Sequence, residues 1–138
     1  MAGVKRFEDL VCWQLANEVE DLVHALVAYP KAAADRRFCD QISRASEKVA
    51  PQIAEGFARF RPTETAHFLR IAKASLAEVQ SQRAKARRRD YFPPDVQDRA
   101  EVLTRRASGA TTRFLKTRIE EADRQRALKT TRREAVDP

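Results

Sequence analysis

The sequence predicts an all-α protein, an antiparallel up-and-down four-helix bundle. Three observations lead there. The 138 residues include only 3 Gly and 6 Pro, too few for an all-β chain that must turn about every ten residues. Four long stretches repeat apolar residues at alternating steps of four and three, the spacing of a left-handed bundle seam. Three proline-bearing segments, Tyr29-Pro30-Lys31, Arg59-Phe60-Arg61-Pro62-Thr63 and Asp90-Tyr91-Phe92-Pro93-Pro94, separate those stretches. Proline lacks the amide hydrogen and pushes its predecessor out of the helical region, so each segment marks a helix boundary.

The first predicted helix runs from about Leu10 to Ala28. Its stripe is Leu15, Val19, Leu22, Leu26 and Tyr29, widened by Val11, Val23 and Val27, with Asp9 as a candidate N-cap. The second runs from about Asp35 to Phe57 on Phe38, Ile42, Ala45, Val49, Ile53 and Gly56 or Phe57. Pro51 lies inside it and predicts a bend near Lys48 to Pro51.

The third begins at Thr63, read as a hydroxyl cap, and follows Phe68, Ile71 or Ala72, Ser75 and Val79, with Leu69 and Leu76 alongside. It closes on basic residues, which suit the negative end of a helix. The fourth starts at Pro94 or Asp95 and reaches about Glu121 on Val96, Ala100, Leu103, Ala107, Ala110 and Phe114. Residues 122–138 hold few large apolar side chains, so a bundle over 1–121 is expected to carry a charged tail that either continues the fourth helix as a solvated rod or frays, a short helical continuation followed by disorder being favoured.

A chain of this length makes one domain. No stretch is apolar over the roughly 18 residues of a membrane span. The opening residues turn acidic where a secretory leader is apolar, so a cytoplasmic protein with no membrane association is expected. Cys12 and Cys39 cannot form a disulfide framework and read as two buried or half-buried thiols of a reducing compartment.

Charge is unevenly spread. Lys and Arg total 27 against 20 acidic residues. Residues 61–90 alone carry eight bases and three acids, whereas residues 1–30 carry two bases and five acids. Arg dominates the bases, and its planar fork matches phosphate two bonds at a time. Arg83, Lys85, Arg87, Arg88 and Arg89 at the end of the third helix, with Arg105 and Arg106 on the fourth, therefore form a candidate phosphate-backbone contact surface. The competing reading is a solvated face. Only Tyr91 and Phe92 accompany the arginine run, which gives little support to base-specific contacts.

Catalytic patterns are sparse. Glu64-Thr65-Ala66-His67 has the Glu-x-x-His step of di-iron bundles, but no second copy exists. Glu55, Glu78, Arg44 and Arg70 lie close to the apolar stripes, where pairing across helices or subunits is expected. No phosphate loop, nucleophile elbow or Cys-His-Asn set is present. Neither enzymatic activity, nor a cofactor, nor a bound metal is expected.

Three segments in order resemble one family. Phe7-Glu8-Asp9-Leu10-Val11-Cys12-Trp13-Gln14 is similar to its Phe-x-Asp-Leu-x-x-Trp-Gln opening. Gln41-Ile42-Ser43-Arg44-Ala45, followed by Ile53-Ala54-Glu55-Gly56-Phe57, resembles its Gln-Ile-x-Arg-Ala and Ile-Ala-Glu-Gly. Phe68-Leu69-Arg70-Ile71-Ala72-Lys73-Ala74-Ser75-Leu76-Ala77-Glu78 resembles its Phe-Leu-x-Ile-Ala-x-Gly-Ser-Leu-x-Glu. The family is that of the four-helix bundle proteins encoded in intervening sequences of bacterial 23S ribosomal RNA genes, related to accessory proteins of diversity-generating retroelements. Here Ala74 replaces a Gly, Asp90 replaces the Gly of a Gly-Tyr pair, and Pro51 is displaced by one position.

The resemblance implies a ring-like homopentamer without established enzymatic activity, and association with RNA or DNA. The residues add a reason for self-association, because Trp13, Val11, Val23 and Phe57 exceed what one seam requires. The expected function is non-enzymatic, backbone-directed nucleic-acid binding, most simply to RNA. The alternative is a protein-interaction scaffold, or an accessory subunit of a nucleic-acid enzyme.

Overall fold

The computed structural model describes residues 3–136, which are helical with no strand among them. A 3-10 turn at Phe7–Asp9 precedes α1 (Val11–Leu26), α2 (Pro30–Ala34), α3 (Arg36–Ala58), α4 (Pro62–Arg88) and α5 (Pro94–Val136). Among the long helices, α3 packs on α4 and α1, and α5 packs on α4 and α1. The contacts close a cycle around one core, in which Leu10, Val19, Leu26, Phe38, Ile42, Ile53, Leu69 and Leu76 are among the fully enclosed side chains. No described helix is long and apolar enough to cross a membrane.

The predicted stripes hold in outline and shift in detail. Asp9 does not cap α1; it closes the 3-10 turn, and Leu10 takes the boundary position in extended conformation. The chain enters there because Phe7 packs edge-on against Trp13, ring centroids 5.3 Å apart. Pro30 was read as a stop, yet it also opens a helix. Its missing amide is harmless at the first helical position, and three alanines follow it into α2.

Asp35 caps α3 as a side-chain acceptor for the Phe38 amide, at 3.1 Å. The helix continues unbroken through the exposed Pro51. In α4 the start moves one residue back, to Pro62, and Thr63 makes no cap. Its buried face includes Leu69, Ala72, Ser75, Leu76 and Val79 of the expected stripe, with Thr65 and Ala66 added in the first turns. Phe68 is only half-buried and Ile71 is exposed.

In α5, Gln97 and Thr104 take core positions that were assigned to Val96 and Leu103. The Thr104 hydroxyl is satisfied on its own helix, whereas Gln97 reaches α4 with its amide nitrogen and leaves its buried side-chain oxygen without a partner among the described residues. The Thr104 hydroxyl donates to the Ala100 carbonyl at 2.8 Å, and the Gln97 amide donates to the Ala86 carbonyl at 3.3 Å.

α5 does not end near Glu121. It runs to Val136, because residues 122–136 contain no Gly or Pro and are rich in Ala and Arg. From Asp123 onward every described residue of the helix is exposed. Those fourteen residues span roughly 20 Å at 1.5 Å per residue, the first of them alongside the α3–α4 turn. The final two tail positions, 137 and 138, lie outside the described residues.

The surplus of apolar flank residues is smaller than the sequence indicates. Val23 is buried in the core, Trp13 and Phe57 are half-buried, and Val11 alone of the four is exposed. Both cysteines are free thiols. Burial pushes Cys12 up to about 11, and Cys39 lies 3.0 Å from the Ala32 carbonyl.

Two local geometries fix the ends of α4. Gly56 sits where α3 crosses its first turns. A Cβ there would approach the Phe68 Cβ to 3.1 Å and the Thr65 carbonyl oxygen to 3.3 Å. At the other end the Asp90 amide bonds the Arg87 carbonyl and the Tyr91 amide bonds the Ala86 carbonyl, a Schellman closure. Asp90 adopts φ 52 to make it, the conformation that glycine accepts most readily.

Gly56→Ala is expected to destabilise the fold by about 1 kcal/mol or more, since neither opposing group can yield freely. That is the opposite sign from Gly→Ala in an open helix. Asp90→Gly is expected to stabilise it by up to about 1 kcal/mol, by relieving the left-handed backbone. Urea unfolding midpoints measure both.

Candidate nucleic-acid interface

Three helix ends meet on one side of the molecule: the start of α3, the finish of α4 and the first turns of α5. The Schellman closure sends the chain back so that Tyr91 and Phe92 fold under the arginine run. Phe92 is buried and stacks edge-on with Tyr29, and Tyr91 packs edge-on with Phe38. Neither ring is free to stack on a base.

The seven basic residues singled out from sequence divide into two groups. Arg83, Arg87 and Arg105 converge on Glu101. Arg105 reaches it at 2.7 Å, Arg87 at 3.5 Å and Arg83 at 3.9 Å, and Arg87 also pairs with Asp98. Arg83 is the most enclosed, with 14% of its side chain exposed. It ties α4 to α5 rather than facing solvent.

Arg89 pairs with Asp35 at 3.3 Å, beside a 2.5 Å hydrogen bond donated by the Tyr91 hydroxyl to the same carboxylate. Lys85, Arg88 and Arg106 make no ion pair among the described residues. Exposed pairs such as Arg105–Glu101 contribute little stability, about 0–1 kcal/mol, so an incoming phosphate can compete for the guanidinium.

The residues are not all brought together. Lys85, Arg88 and Arg89 line one hollow on α4 of about 440 Å³, shared with Ser81 and Gln82. Arg106 lies elsewhere, in a groove between α1 and α5 where Glu18, Asp21, Asp95 and Asp98 oppose it and Arg99. The contiguous basic zone is therefore the α4 hollow.

Glu55, Glu78, Arg44 and Arg70, expected to pair across helices or subunits, make no ion pair between helices of the described chain. Glu55 pairs with Arg59 on its own helix, and Glu78, Arg44 and Arg70 are exposed without a partner among the described residues. Glu64 and His67 are exposed on α4, and His67 packs edge-on with Phe68. Among the described residues no three His, Cys, Asp or Glu side chains gather as metal ligands.

Sequence reading overlooked a second basic region at the opposite end of α4. Phe60 in the α3–α4 turn is 98% exposed. It lies with Arg61, Arg126 and Lys129 around a notch of about 540 Å³. The alternation Arg59-Phe60-Arg61 was a signal in the sequence, but the α5 side of the notch comes from some sixty residues further on, in a segment expected to be mostly disordered.

Asp35 ties the start of α3 to the finish of α4. Its carboxyl is held below the ordinary carboxylate range, first by the Tyr91 hydroxyl, then by the Phe38 amide, with Arg89 and Lys85 adding to both. A carboxyl whose folded pKa is depressed stabilises the fold fully above its unfolded pKa. That contribution is lost as the pH falls through the folded value. Asp35→Ala is expected to lower the thermal midpoint by about 5 °C near pH 7. The difference from the unsubstituted chain is expected to hold above the unfolded carboxyl value of about 4 and to shrink as the pH falls from there through the lower folded value, in melts followed by circular dichroism.

The family model described as 23S rRNA-intervening sequence protein matches residues 8–112. No curated protein matches the chain.

Proposed function

The chain belongs to the 23S rRNA-intervening sequence protein family, and from that premise we propose that it is a non-enzymatic, RNA-binding helical protein that contacts the phosphate backbone. The α4 hollow carries this reading. Lys85 and Arg88 stand there without carboxylate partners, and Arg89 shares its charge with a single aspartate. Arg87 and Arg105 extend the surface as exchangeable pairs, and Arg83 holds α4 to α5. Phosphate contacts of this kind position RNA without reading its bases.

The proposal includes an antiparallel up-and-down arrangement, which the short connections between the long helices support. It also includes assembly into a ring-like homo-oligomer, a pentamer, in the cytoplasm. The outward residues of the family motifs support assembly: Arg70, Ile71, Ala74, Ala77 and Glu78 leave one face of α4 uncovered. No cofactor, metal or membrane enters this reading.

A protein-interaction scaffold, or an accessory subunit of a nucleic-acid enzyme, is the second reading. It is favoured by the groove between α1 and α5, about 800 Å³, where Leu22, Ala25, Val102 and Leu103 form an apolar floor between charged rims. A partner recovered with the native protein and retained after nuclease treatment supports it.

Affinity for an RNA hairpin measured across a salt series tests the first reading. The unsubstituted protein is expected to bind at low salt and to weaken steeply as salt rises. Replacing Lys85, Arg88 and Arg106 together with Ala is expected to lower the slope of log K against log salt by about two. Most of that loss comes from Lys85 and Arg88. No binding at low salt, or binding indifferent to salt, removes the reading.

A further inference from the structure

We infer that the notch between the α3–α4 turn and the overhanging part of α5 is a binding site for single-stranded RNA, with Phe60 as the platform on which one base stacks. The inference rests on the RNA-binding reading and adds a site and a substrate form to it. The α5 residues of the notch lie beyond the family match, which ends at residue 112.

Three observations meet at this place. The ring of Phe60 is 98% exposed, the most exposed large apolar side chain of the described residues. It is held on a turn of three residues between α3 and α4, in which the Arg59 amide bonds the Gly56 carbonyl at 3.2 Å. Its backbone is anchored by a helix on either side.

The surrounding charge is positive. Arg61, Arg126 and Lys129 line the notch with no carboxylate among its lining residues, and Arg126 pairs with Asp123 at 2.8 Å. Arg61 and Lys129 have no ion-pair partner among the described residues. Arg59 is not part of the notch. It pairs with Glu55 and lies over the Phe68 ring at 4.8 Å, in the adjoining hollow.

The cleft has a suitable size. About 540 Å³ falls within the roughly 300–1,000 Å³ of small-ligand sites and accommodates a nucleotide. Thr63 and Gln125 on its walls offer hydroxyl and amide groups to a base edge or sugar.

An aromatic face beside cations is the arrangement that binds single strands, because a base stacks on the ring while the phosphates follow the charges. A duplex offers no unstacked base to the ring. The α4 hollow, by contrast, has cations and no available ring, so it contacts backbone alone. The overhang of α5 acquires a role here. It supplies Arg126 and Lys129 alongside the α3–α4 turn.

Fluorescence anisotropy with a short labelled oligouridylate and an RNA duplex tests this. Phe60→Ala is expected to weaken the oligouridylate about tenfold at every salt concentration, with the salt slope unchanged. Phe60→Trp is expected to restore it, and duplex affinity is expected to stay the same. Lys129→Ala is expected to lower the single-strand salt slope by about 0.7. Phe60 is too exposed for its replacement to affect folding, and circular dichroism verifies that.

Oligouridylate binding that is unaltered in Phe60→Ala overturns the site. A deoxy oligomer bound more tightly than the oligouridylate overturns the assignment to RNA. If the duplex binds through Lys85 and Arg88 but the oligouridylate does not bind, the notch falls and the RNA-binding reading stands. If neither RNA binds at low salt, both fall.

Discussion

The molecule depends on the close approach of α3 and α4 at Gly56. This crossing brings the α3 backbone within reach of Thr65 and Phe68, so the two helices can bury Ile53 and Leu69 on either side of it. Small side chains continue the arrangement, with Ala72 and Ser75 on α4 and Ala100, Thr104, Ala107 and Thr111 on α5. Helices that meet through small residues can pack with little strain, and the buried hydroxyls of Thr104 and Thr111 return to their own helix backbone. Once that axis is set, α1 closes the core, and the charged ends of α4 are separated by about 40 Å.

The distribution of carboxylates then decides which arginines are available. A guanidinium beside a fixed carboxylate has already exchanged part of its hydration for a partner, and a phosphate must displace that partner. Glu101 holds three arginines in this state, and Asp35 holds a fourth together with Tyr91. The net charge of the chain is therefore a poor guide to its contact surface. Lys85 and Arg88 count for more than the longer run in which they sit.

Much of the fold was legible because helix signals are local. The four-three spacing located every long helix, and Asp35 announced the start of α3 by its identity and position. The errors have physical causes. Pro30 and Pro62 were read as breaks, although proline at a first helical position costs nothing, so α2 was missed and α4 was started late. Phe68 reads as a core residue by its hydrophobicity, but only its Cβ meets α3 at Gly56; its ring is half-buried and lies beneath Arg59.

The candidate site was less legible. Arg105–Glu101 is a local pair visible in the spacing of four, whereas Arg89–Asp35 joins residues 54 positions apart, and Arg87–Asp98 spans a turn. No sequence pattern carries those.

The overhang of α5 shows how an element can be stable without burying a face. Residues 123–136 gain no core contacts, and an isolated helix of that length is marginal in water. It persists here as a continuation of a helix already nucleated by Phe114, Leu115 and Ala122, so each added residue needs only propagation. Its own support is slight: the Arg126–Asp123 pair and two threonine hydroxyls on backbone carbonyls. A segment so lightly held can adjust to what lies beside it, and what lies beside it is the α3–α4 turn, anchored by a helix on either side. The notch therefore combines one anchored wall, carrying Phe60, with one compliant wall, carrying Arg126 and Lys129. For a flexible polyanion that division is favourable. The ring sets where a base rests, and the charged helix can settle against the phosphates without disturbing the core.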